Sequence, residues 1–203
     1  MRPRKKKHLT ERLERASAIL YTEPPIFREA LASRNARAVH LEIGCGKGSF
    51  AVQAAAANPD ITFAALEREK NALVTALERA MSAELGNLMF ILADAKRLAE
   101  YFEPCGVQRI YINFCDPWSS NKHADRRLTA PGFLALYKEI LAAGGAVLFK
   151  TDSAELFEYS RRTLSAEGFR LSDEFAPWLT DYETKWLTLG RTIYKLTAYP
   201  PDA

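Results

Sequence analysis

The chain has 203 residues, 48% of them hydrophobic, enough for one well-cored domain and too few for two comfortable ones. No apolar run approaches the length of a membrane span. Glu11, Arg12, Glu14 and Arg15 break up any signal-peptide core behind the basic N-terminus, so a cytoplasmic protein is expected. The three cysteines, Cys45, Cys105 and Cys115, form no C-x-x-C. They read as free thiols in a reducing compartment, with neither a disulfide framework nor a zinc site, and no metal is expected.

The net charge of +3 is unevenly divided. Residues 1–15 carry seven basic side chains (Arg2, Arg4, Lys5, Lys6, Lys7, Arg12, Arg15) against Glu11 and Glu14, so a local +5 stands against −2 on the remainder. The sequence therefore divides into a basic arm, residues 1–20, and a slightly acidic domain, residues 21–203. Such an arm points to a polyanionic partner. On charge alone a solvated tail is the simpler reading, and the run needs support from elsewhere.

From residue 38 the pattern alternates. Ala38–Ile43 reads as a strand followed by a glycine cluster, and Ile61–Leu66 as a second strand. A helix is predicted from about Glu69, with Leu73, Ala76, Leu77, Ala80 and Met81 on one face and a stop at Gly86. Leu88–Ala93 and Val107–Phe114 are the third and fourth strands. Pro131 suits the first turn of a helix bearing Phe133, Leu136, Tyr137, Ile140 and Leu141, which Gly144 and Gly145 end. Ala146–Lys150 is the fifth strand, and an amphipathic stretch runs from Ser153 to Gly168. Two further strand-like runs, Phe169–Phe175 and Arg191–Ala198, flank a polar loop. Regular alternation of this kind predicts an α/β fold: a doubly wound, mostly parallel, seven-stranded sheet of the Rossmann-like type.

Ligands of open α/β sheets bind at the carboxyl ends of the strands. Glu42 with Gly44, then Glu67, Asp94, Asp116 and Asp152, place an acid at or beside five successive strand ends. In LEIGCGKGSF, the glycines at 44, 46 and 48 let the backbone turn tightly and approach a ligand. The loop is one residue short of the dinucleotide fingerprint, and Glu42 immediately before it would repel a pyrophosphate. Glu67 is placed to accept hydrogen bonds from ribose hydroxyls and Asp94 falls at the adenine end. A cationic nucleoside, S-adenosylmethionine, suits this pocket better than NAD.

Beyond the fourth strand lies NFCDPWSSNKH, residues 113–123. Pro117 fixes the turn, Trp118 offers a face for a base, and Asp116 offers an acceptor for base N–H groups. Lys122, His123, Arg126 and Arg127 follow as a cluster suited to phosphates, which gives the basic arm its support. On a strand Cys115 points to the opposite face from Asp116, and so reads as a packed core thiol.

Together LEIGCGKGSF, Leu66-Glu67, Ala93-Asp94, NFCDPW with H-x-x-R-R-L (His123 to Leu128), FKTD (Phe149 to Asp152) and TDYE (Thr180 to Glu183) resemble bacterial tRNA (guanine-N7-)-methyltransferase, in order from Glu42 to Tyr194. The resemblance implies a class I fold and methyl transfer from S-adenosylmethionine to N7 of a guanosine in the tRNA variable loop. It implies that Glu42, Glu67, Asp94 and Asp116 contact the donor, where the glycine loop adds Gly44, and that Asp116 is also the catalytic position. Position 120 (Ser120), Asp152, Thr180, Asp181, Tyr182 and Glu183 would face tRNA. The chain departs from the family at position 120, where a lysine is usual and Ser120 stands; Lys122 is the nearest replacement. A methyltransferase for a small molecule or protein, and a non-catalytic RNA-binding protein of this fold, are the rival readings. Nothing in the sequence decides between a monomer and a homodimer.

Overall fold

The computed structural model describes residues 6–175 and 181–201, in two compact units that divide after Tyr101. The first unit runs α1 (Leu9–Arg15), β1 (Leu20–Tyr21), α2 (Pro24–Ala32), β2 (Ala38–Ile43), α3 (Ser49–Ala57), β3 (Ile61–Glu67), α4 (Lys70–Ser82), β4 (Leu88–Leu92) and α5 (Leu98–Tyr101). Its strands lie in the order β1-β4-β3-β2, all parallel. β3 is buried at every position from Thr62 to Glu67 and β4 from Leu88 to Ile91. Strands covered on both faces have this near-continuous apolar sequence. On α4 the stripe Leu73, Val74, Ala76, Leu77 and Ala80 is buried, while Met81 is exposed. The helix stops at Ser82, and the residue that turns left-handed is Glu84 rather than Gly86.

Part of the predicted arm is folded. α1 packs on α4 with Leu9 and Ala16 buried. Arg12 grips Glu78 with two hydrogen bonds, Nε to Oε1 at 2.6 Å and Nη2 to Oε2 at 2.7 Å. The Lys6 amide donates to Asn71 Oδ1 at 3.0 Å and its ammonium to Thr75 Oγ1. Among the described residues, two of the arm's cations, Lys6 and Arg12, are thus engaged with α4.

The second unit runs β5 (Val107–Asn113), α6 (Pro131–Ile140), β6 (Leu141–Thr151), α7 (Ala154–Ala166), β7 (Arg170–Ser172), α8 (Asp181–Thr188) and β8 (Tyr194–Tyr199). Its strand order is β5-β6-β8-β7; β5 and β6 are parallel, and β8 is antiparallel to both β6 and β7. Gly144 and Gly145 do not end α6, which stops at Ile140. They sit inside β6, opposite a register shift between Val107 and Arg109. A Cβ at Gly145 would lie 2.7 Å from the Ala142 carbonyl oxygen, so glycine is required at this bulge. The fold is α/β and mostly parallel, with eight strands among the described residues instead of seven; the additional one is the two-residue β1. No helix among the described residues is long and apolar enough to cross a membrane.

Candidate active site

In the first unit the chemistry gathers past the ends of β2, β3 and β4. Glu42, 3% exposed, is the penultimate residue of β2. The loop after it turns through Gly44, Gly46 and Gly48, with φ of +76°, +56° and +75°. A Cβ at Gly44 or Gly46 would meet nothing within 4 Å, so these two leave the loop's surface open. Gly48 has a packing reason as well: its Cβ would lie 2.6 Å from that of Ala76 on α4.

Four amide protons of this loop are already engaged. The N–H groups of Gly44 and Cys45 donate to the Leu66 carbonyl at 2.8 and 3.1 Å, and that of Gly48 donates to Cys45. The Gly46 N–H donates to Glu67 Oε2 at 2.9 Å, while the N–H groups of Arg68 and Glu69 both donate to Oε1 at 2.8 Å. A phosphate cradle needs loop amides pointing at the ligand; here these four point into the protein. Cys45, buried beside these acids, reports the local field. Its thiol is held well above its ordinary range, first by burial and then by the charges of Glu42 and Glu67. The contribution of the two carboxylates, though not that of burial, also favours a bound cation. Asp94, exposed after β4, caps the short turn Ala95–Arg97 by accepting the Lys96 N–H at 2.9 Å.

In the second unit the Asp-Pro-Trp loop follows β5, which ends at Asn113. Phe114 and Trp118, on either side of Asp116 and Pro117, take left-handed φ values of +54° and +42°. Left-handed backbone costs on the order of 1–3 kcal/mol per non-glycine residue and persists only where its surroundings hold it. What holds it is visible. The Phe114 N–H donates to the Lys150 carbonyl at 2.9 Å. Arg127, 3% exposed, donates from Nε to the Pro117 carbonyl at 3.1 Å and from Nη2 to the Trp118 carbonyl at 2.9 Å. Its guanidinium lies 4.3 Å from the Tyr159 ring centroid and 3.7 Å from Glu155. Arg127 is therefore a buried brace for the loop and is not presented to phosphates as the sequence reading had it. Asp116 is exposed. Trp118 is half-buried, with the Arg126 guanidinium 5.0 Å over its ring and His123 edge-on at 5.9 Å.

The remaining predicted residues fall in different environments. Ser120 and Lys122 are exposed, at and just inside the start of the Asn121–Arg126 turn. Asp152 is half-buried, one residue past β6. Thr180 lies outside the described residues, and Asp181 and Tyr182 open α8. Glu183 is fully buried, where the sequence reading had it facing tRNA. It accepts from Lys150 Nζ at 2.8 Å and lies 2.5 Å from Lys195 Nζ. Cys115 lies beyond the end of β5, so strand alternation does not govern its direction. Burial and then the charge of Asp116 still push its thiol up to about 12.

Sequence reasoning did not single out Lys150, Lys195 or the bracing role of Arg127. One signal was present: Lys150 is a lone charge in the apolar run Ala146–Phe149, and a buried ammonium requires an anion.

A family model described as "Putative methyltransferase" matches residues 36–196. The chain is 38% identical to a tRNA (guanine-N(7)-)-methyltransferase of Lactococcus lactis subsp. cremoris (strain SK11), covering 98% of this chain and 97% of the relative. It is 39% identical to one of Listeria monocytogenes serotype 4b (strain F2365), covering 98% of each. Among solved structures, an antibiotic-related methyltransferase matches with a TM-score of 0.61 at 18% identity, over 84% of this chain and 92% of that one. At that identity the likeness is one of fold.

Proposed function

This chain belongs to the tRNA (guanine-N7-)-methyltransferase family, and on that footing we propose that the guanosine it methylates at N7 lies in the tRNA variable loop. The reaction is S-adenosylmethionine-dependent methylation of tRNA, and the cytoplasm is where it would meet its substrate. The observation that carries the site assignment is the Asp116-Pro117-Trp118 loop, held by Arg127 and Lys150 in a backbone it would not adopt alone.

The donor, when bound, supplies an electrophilic methyl group on a sulfonium. Every other contribution comes from the chain. Glu42 and Glu67 provide two negative charges that favour a cationic ligand and that add to the effect of burial on the Cys45 thiol. An ionised carboxylate has about four lone-pair sites. Glu67 uses three of them on backbone amides, which leaves room at Oε2 for one ribose hydroxyl. Asp94 is assigned to the adenine end.

Guanine N7 carries an in-plane lone pair and no proton at neutral pH, so the transfer needs no general base. Positive charge leaves sulfur and appears on the purine as the methyl moves. The role of Asp116 is to stabilise that charge with a carboxylate already fixed in place. Trp118 and the exposed Arg126 offer the base a stacking surface. Ser120, Lys122, Asp152 and the segment from Thr180 to Tyr182 are assigned to tRNA. The purified protein, given S-adenosylmethionine and unmodified tRNA, should yield 7-methylguanosine in a variable-loop fragment by nucleoside mass spectrometry. Methylation elsewhere would refute the positional assignment, and no 7-methylguanosine at all would refute the activity.

A further inference from the structure

One buried residue of the second unit touches both the Asp-Pro-Trp loop and the helix that begins in the assigned tRNA segment. The backbone carbonyl of Lys150 accepts the Phe114 N–H at 2.9 Å, at the left-handed residue from which the loop departs. Its side chain, fully buried, donates from Nζ to Glu183 Oε2 at 2.8 Å, in the first turn of α8. Lys195 on β8, a third exposed, closes on the other carboxylate oxygen at 2.5 Å. The Phe175 ring lies 4.9 Å from the Lys150 ammonium.

Fully buried ion pairs are poor contributors to net stability, because desolvation offsets most of the Coulomb attraction; an apolar pair of similar volume is often as stable. Stability alone is therefore a weak reason to place a lysine at the end of a covered strand. Geometry is a stronger one. A carboxylate gripped from two strands fixes α8 in both translation and rotation, and the same lysine's carbonyl fixes the origin of the loop that carries Asp116.

We infer that Lys150 is a positioning residue for methyl transfer: through Glu183 it sets the start of α8 in register with the Asp116 loop, and Lys195 completes the grip. The inference rests on the reading that Asp181 and Tyr182 contact tRNA. Glu183 is then the anchor of that segment, and its role is to hold the residues preceding it.

The test separates positioning from packing. A single Lys150→Met change leaves a buried carboxylate short of a cation, so it should lose both stability and activity. The double variant Lys150→Met with Glu183→Leu restores an apolar contact and should recover the thermal midpoint. Its kcat/KM for tRNA should nevertheless stay on the order of a hundredfold low, the scale of an active-site misplacement of about 1 Å, with calorimetric affinity for S-adenosylmethionine unchanged. Activity that returns together with the midpoint would overturn the inference. Glu183→Asp serves as a second variant, since it keeps the charge and both cations but shortens the reach by one methylene. A folded Glu183→Asp protein with wild-type kcat/KM on tRNA would equally overturn it. Tyr182→Ala tests the underlying reading separately: normal kcat/KM on tRNA there removes the premise, whatever the Lys150 variants do.

Discussion

Glu67 answers to two sets of donors, and its substitution should show both. Three backbone amides lose their acceptor in Glu67→Ala, so the thermal midpoint should fall. Affinity for S-adenosylmethionine should also weaken, by roughly 1.5–3 kcal/mol, the scale of a hydrogen bond to a charged group. A folded variant with unchanged calorimetric affinity would remove Glu67 from the donor site. Asp116 is exposed and, among the described residues, held through its neighbours' backbone, so Asp116→Asn should fold normally and lose turnover far more than tRNA affinity. The reverse pattern would make Asp116 a binding residue. Position 120 allows a sharper test. Ser120 and Lys122 are both exposed, and two residues span at most about 7 Å, within reach of a lysine's flexible stem. Lys122→Ala should weaken tRNA binding, and adding Ser120→Lys should restore most of the loss, a strongly non-additive pair. A double variant no better than the single would mean that Lys122 does not replace the family's lysine. The acids at the strand ends were legible in the sequence because polar residues interrupt apolar runs there. The burial of Glu183 and Arg127 was not, because each is decided by partners distant in sequence, Lys150 and Lys195 for one and Tyr159 and Glu155 for the other.

Among the elements, those with a clear period were read closely: β2 falls on Ala38–Ile43 as expected, and α4, α6 and α7 lie within a few residues of their predicted spans. Those that escaped did so for separate reasons. β1 has two residues and no period to detect. α1 lies in a run whose charge dominates its composition, although Leu9, Leu13 and Ala16 keep helical spacing. α8 occupies what reads as a polar loop between two strands. Gly144 and Gly145 look like a helix stop because glycine marks both helix ends and bulges, and only strand pairing tells them apart. The Asp-Pro-Trp loop is an element of a different kind, specified by its brace. Arg127→Lys keeps the charge but cannot serve two carbonyls from one rigid fork. It should release the strained backbone at Trp118, lowering kcat while leaving S-adenosylmethionine affinity intact. Wild-type kcat in that variant would show that the loop holds its shape without the guanidinium.

At the scale of the molecule, the response to acid follows from how the carboxylates are held. Glu183 has its carboxyl below the ordinary value of 4.5. Burial alone would raise it, and hydrogen bonds from Lys150 and Lys195, with their charges, outweigh that effect. Glu78 and Glu100 are also lowered, chiefly by hydrogen bonds from Arg12 and Arg97. Both pairs stand at the surface, Arg12–Glu78 half-buried and Arg97–Glu100 exposed, where salt screens them and their worth is small. For a carboxyl depressed in the folded state, the unfolded chain binds the proton first. The stability it confers is complete above the unfolded value and drains away as pH falls through the folded one. The thermal midpoint should therefore hold from neutral pH down to about 4.5 and then fall. High salt should remove the part of that fall due to Glu78 and Glu100 and spare the part due to Glu183, whose buried ion pair is little screened. Glu183→Gln, which has no proton to take up, should start from a lower midpoint at neutral pH and decline less steeply below 4.5. Midpoints followed by circular dichroism in low and high salt decide the matter. Parallel curves for the wild type and Glu183→Gln would mean that the buried triad is not where this fold senses acid.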